Sequence, residues 1–114
     1  MHVKFYCDLY VSRGWQKKKR TLKRKLKKKK LLPSVYILAL SQGTRNQLEF
    51  FSSVLLHQHI FDSAELFVIG FADGYDEALS LVEQITDKVY HETGTADIRR
   101  FILKRQEEFD ITGR

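Results

Sequence analysis

The sequence predicts a small α/β domain: a mainly parallel sheet of about three strands with packed helices, plus a basic helical segment after the first strand. Three observations predict it. Apolar and polar residues alternate near the N-terminus, the pattern of a strand. Two later runs, 34–40 and 66–72, are apolar almost throughout, as in strands buried on both faces. Helical spacings follow each run, and parallel neighbours need helical crossovers of the right hand. With 114 residues the chain has the size of one ordinary domain, and its 43% apolar content suffices for one core.

In residues 2–12, Val3, Phe5, Cys7, Leu9 and Val11 share one face, and His2, Lys4, Tyr6, Asp8 and Tyr10 share the other. A half-buried strand is expected. After Ser12-Arg13-Gly14 the composition changes abruptly. Between Arg13 and Lys30 lie twelve lysines and arginines and no acidic residue, and all fourteen Asp and Glu fall elsewhere. Removing that +12 from the whole-chain +6 leaves −6 for the remainder, so the basicity is local. Residues 13–32 form the Lys/Arg-rich segment, helical or partly disordered until a polyanion neutralises it. Trp15, Leu22 and Leu26 would share one narrow apolar stripe of such a helix.

Pro33 closes the segment, because the residue before a proline is steered away from helix. Ser34 to Leu40 is the second strand. Thr44 and Gln47 then have the spacing of a capping box, which predicts a helix running to about His57 with Leu48, Phe51 and Leu55 inward. Leu66 to Ala72 is the third strand. Asp73 is placed to cap the next helix, with Asp76 and Glu77 favourable against its positive end. That helix runs to about Glu92, with Tyr75, Ala78, Leu79, Val82, Ile85 and Val89 on one stripe and Gly94 as its stop. Asp97 caps a shorter helix that turns Ile98, Phe101, Ile102 and Phe109 inward. Three strands make a thin sheet, so a strand donated by a second copy, and hence a homo-oligomer, enters the expectation.

The cations of the basic segment are Lys17, Lys18, Lys19, Arg20, Lys23, Arg24, Lys25, Lys27, Lys28, Lys29 and Lys30. Point charges on nearly every face suit phosphate contact, which needs no particular register. No Asn or Gln lies in the dense part to read a base edge, so little sequence preference is expected, and DNA is not told from RNA. Only Trp15 offers a ring, which argues against stacking on unpaired bases. A solvated charged helix, a localisation tag, an anionic membrane and an acidic protein surface are the competing readings.

Other constellations are ordinary. Ser41, Thr44 and Arg45 follow an apolar strand and form a candidate small-anion loop, although the lysine and spaced glycines of a phosphate loop are missing. Asp8, Asp73 and Asp76 suggest magnesium ligands only if the fold gathers them, and helix caps explain two of them. His57 and His59 stand two apart, which suits a strand more than the expected helix. The single cysteine, Cys7, excludes an internal disulfide and reads as a buried inert thiol. No catalytic set, metal or cofactor motif is evident, so a small hydrolase or phosphotransferase ranks behind a nonenzymatic binding role. No secretory signal is visible, and no apolar run approaches the ~20 residues of a membrane-spanning helix. A soluble, cytoplasmic protein is expected.

The stretches Val35-Tyr36-Ile37-Leu38-Ala39-Leu40, Gly74-Tyr75-Asp76-Glu77-Ala78-Leu79-Ser80-Leu81-Val82 and Thr93-Gly94-Thr95-Ala96-Asp97-Ile98-Arg99-Arg100 resemble short Firmicutes proteins of unknown function. The resemblance covers Ser34 to Ile102. It implies a bacterial cytosolic setting, which counts against a nuclear tag, and it carries no activity across.

Overall fold

The computed structural model describes residues 2–30, 32–40, 48–58 and 65–114. Four strands form one sheet in the order β1-β4-β2-β3: β1 is His2–Val11, β2 Val35–Ala39, β3 Glu49–Ser52 and β4 Glu65–Asp73. Three helices pack against it, α1 (Lys19–Lys27), α2 (Tyr75–Thr93) and α3 (Ile98–Thr112). The α/β class holds, but the sheet is mixed. Only β1 with β4 is parallel, while β2 runs antiparallel to both β4 and β3.

The fourth strand explains the difference. The expected helix ending near His57 is replaced by β3 and a short 3₁₀ turn, Ser53–His57. Phe50 packs toward one core and Phe51 toward the other, which is the alternation of a strand. Pairing with β2 satisfies the backbone there, so an antiparallel return takes the place of a crossover helix. Val54 and Leu55 are left exposed, and Ser53 and Leu56 are the buried residues of the turn. Ser53 Oγ donates to the Leu32 carbonyl and ties this turn to the segment behind α1.

Both faces of the sheet are covered. One core contains Leu38, Leu40, Ile69, Ala72, Ala78, Ile85, Val89 and Ile102, under α2 and α3. The other contains Leu9, Val11, Leu22, Leu26, Val35, Ile37, Val68 and Phe71, under α1. The apolar runs of β2 and β4 therefore divide between two cores, as doubly buried strands should.

β1 departs from simple alternation. Its pairing with β4 jumps from Phe5↔Val68 to Tyr10↔Gly70, and β4 also slips against β2 between Leu38 and Ala39. Tyr6 lies opposite Val3 and Phe5, as alternation places it, but that face is covered by α2 and α3 and Tyr6 is buried to 1% exposure. Cys7 is half-buried and packs toward the α2/α3 core instead of joining Val3, Phe5, Leu9 and Val11. Its N–H donates to Gln106 Oε1 on α3 at 2.7 Å. At Gly70 a Cβ would stand 2.9 Å from the Tyr10 carbonyl oxygen, so the close approach of β1 to the bulged strand needs glycine.

Helix details shift similarly. Gly74, at φ 91°, occupies the N-cap of α2, while Asp73 ends β4 and donates its N–H to Ser12 Oγ at 2.8 Å. The buried stripe is Ala78, Leu81, Ile85 and Val89, and Tyr75 and Leu79 are exposed. Gly94 ends α2 in the left-handed region. Asp97 caps α3 as expected, accepting from the Arg100 N–H at 3.1 Å, with Ile98 and Ile102 buried and Phe109 exposed.

Gly70→Ala should destabilise the fold by about 1–3 kcal/mol through this backbone clash, read as a lower urea midpoint with an unchanged slope. A midpoint equal to the parent's would refute the close approach.

Candidate nucleic-acid interface

The basic segment becomes a short helix because its two ends are held. At the entry, the Ser12 N–H donates to the Phe71 carbonyl at 3.1 Å, while Ser12 Oγ accepts from Asp73. Ser12 is 1% exposed, and these bonds fasten the end of β1 to the end of β4. Gly14, at φ 87°, redirects the chain across the sheet. A 3₁₀ turn, Gln16–Lys18, then leads into α1.

Local electrostatics oppose this helix. Its first turn carries no acid and its N-cap no side-chain bond, while Lys17 and Lys18 stand at the positive end of the dipole. Nine residues are too few for an isolated helix to persist in water. Packing supplies what is missing. Leu22 and Leu26, one turn apart, are 6% and 2% exposed against the sheet, worth together about 3–6 kcal/mol. Trp15 packs at the margin of the same core.

The exit is a tight reversal. The Lys29 N–H donates to the Leu26 carbonyl and the Lys30 N–H to the Lys25 carbonyl, both at 3.0 Å, and Lys29 takes the left-handed conformation at φ 54°. These two bonds close a Schellman motif on a lysine, where glycine would be the unstrained residue.

The cations cover the remaining surface. Arg20, Arg24, Lys27 and Lys28 are exposed, and Lys19, Lys23 and Lys25 are half-buried. Lys19, Arg20, Lys23, Arg24, Lys27 and Lys28 line an open groove of about 560 Å³. Among the described residues no carboxylate pairs with Arg20, Arg24 or Lys28. The Lys23 and Lys27 ammonium groups each lie 5.7 Å from the centre of the Phe5 ring, and Lys18 lies 5.6 Å from that of Trp15. Sequence spacing gave no sign of Phe5, which the β1 register places beneath the helix. These ring contacts hold three ammonium groups in place without neutralising them.

The opposite face is acidic along α2 and mixed along α3, where Arg99, Arg100, Lys104 and Arg105 stand with Glu107, Glu108 and Asp110. α2 carries Asp76, Glu77, Glu83, Asp87 and Glu92 against Lys88. Since α1 and α2 lie on opposite faces, the sheet separates cationic and acidic surfaces.

Ser41, Thr44 and Arg45 lie outside the described residues, as do the Thr44/Gln47 capping pair and His59. Asp8 binds Arg105 Nε at 2.7 Å, far along the chain from Asp73 and Asp76. Among the described residues no three His, Cys, Asp or Glu side chains form a group suited to a metal ion. Burial, helped by the Asp8 charge, raises the Cys7 pKa, so the thiol is protonated and a poor nucleophile at neutral pH. A polar pocket of about 570 Å³ lies where the parallel β1 and β4 end, lined by Ser12, Arg13, Gln16, Glu77, Ser80 and Gln84 among others. It joins residues about sixty positions apart, which only the parallel pairing could reveal. It contains no nucleophile with an adjacent base.

No helix among the described residues is long and apolar enough to cross a membrane. No family model, curated protein or solved structure matches the chain.

Lys29→Gly should raise stability by about 0.5–1 kcal/mol by relieving the left-handed strain, seen as a higher urea midpoint. A fall in the midpoint would show that the reversal at Lys29 is not as described.

Proposed function

We propose that the protein is a nonenzymatic, low-specificity nucleic-acid-binding protein that engages phosphates through the basic segment. The observation that carries this reading is the division of α1: its apolar side is committed to the core, and its exposed arc carries cations. Lysine and arginine side chains contact phosphate oxygens without reading bases, so affinity arises chiefly from released counterions.

The same division argues against the competitors. An interfacial membrane helix must insert its apolar face, and Leu22 and Leu26 are already buried in the protein. A protein partner docking by shape would also need that stripe. An acidic partner bound through charge alone remains the second reading, because the cations are accessible to it. A cytoplasmic setting, where nucleic acid is the abundant polyanion, belongs to this proposal.

The test is fluorescence anisotropy of labelled nucleic acid titrated with the protein across a salt series. A variant with Lys23, Arg24, Lys25, Lys27, Lys28 and Lys29 neutralised serves as control. Binding should fall with a log–log salt slope near −5 on duplex DNA, as expected for about six phosphates, and should vanish in the variant. Absent binding, or binding that survives neutralisation, would overturn the reading and favour a protein partner.

A further inference from the structure

We infer that the polyanion is B-form duplex DNA, gripped with α1 lying along its major groove; this rests on the nucleic-acid reading above. With Leu22 and Leu26 facing the sheet, the ~100° helical step puts Lys19 and Lys23 on one flank and Lys25 on the other. Arg20, Arg24 and Lys28 run along the exposed crest. Cations therefore cover the crest and both flanks.

A single strand is one line of phosphates and touches one such line at a time. A duplex groove has two phosphate walls, which meet both flanks together. The nine residues of α1 give a ridge about 14 Å long. A helix with side chains is about 10–12 Å across and matches the ~12 Å major groove of B-DNA. The major groove of A-form RNA is too narrow and deep to admit it.

The rings tell the same way. Phe5 and Trp15, beside the ridge, have lysine ammonium groups over their faces, and the exposed aromatics Tyr75, Tyr90 and Phe109 belong to α2 and α3 on the opposite face. The ridge offers phosphate contacts without a platform on which unpaired bases could stack.

The test is a competition at physiological salt. Labelled duplex DNA bound to the full chain is challenged with unlabelled duplex DNA, duplex RNA and single-stranded DNA, matched in phosphate number. Duplex DNA should compete at least about tenfold better than either alternative. A Lys23→Gln/Lys25→Gln variant, its fold verified by circular dichroism, should lose most of that preference while still binding single strands. Equal competition by all polymers, or equal losses in the flank variant, would overturn the groove assignment and leave the broader reading standing. Failure of every polymer to bind would overturn both.

Discussion

The seating of Leu22 and Leu26 on the sheet is the contact on which the basic helix depends. Although Arg24, Lys25 and Lys27 suit the last turn, much that is local works against α1: it is short, lacks an N-terminal cap, has cations at the wrong end of its dipole and bends back through a strained lysine. Like charges one turn apart add repulsion along its length. Two buried leucines and the anchored turn at Ser12 offset these costs. The result is a rigid display of charge on a frame that the charged residues do not themselves build.

The sheet makes that display directional. β2 and β4 are apolar on both faces, so one helix layer can be strongly basic and the other acidic along α2 without the two neutralising each other. Under the nucleic-acid role proposed above, the field of a polyanion would orient such a molecule before contact, with α1 leading and α2 trailing. The acidic α2 surface would then face solvent.

Much of this frame was legible in the sequence. β1, β2 and β4 fell within a residue or two of their expected limits, and Asp97 and Gly94 marked helix ends by local chemistry alone. The stripe of Leu22 and Leu26 was also readable, since a spacing of four is a local property. What escaped depended on distant partners. Leu48, Phe50, Phe51 and Leu55 fit a helical period as well as a strand, and only pairing with β2 decides for β3. Tyr6 is buried because α2 and α3 cover the second face of the sheet, and the irregular pairing between Phe5 and Tyr10 moves Cys7 away from the apolar set. Phe5 under Lys23 and Lys27, and the pocket at the ends of β1 and β4, likewise join residues that sequence spacing keeps apart.

The central claim is that α1 is folded before it meets any polyanion. Amide hydrogen exchange of Lys19–Lys27 in the free protein at low salt tests it most directly, because repulsion is then strongest. The account predicts amides at the C-terminal half of the helix protected well beyond unfolded-chain rates, with that protection lost in Leu26→Ala. Exchange at unfolded-chain rates, with protection appearing only on addition of a polyanion, would contradict it and recast the segment as one that folds on binding.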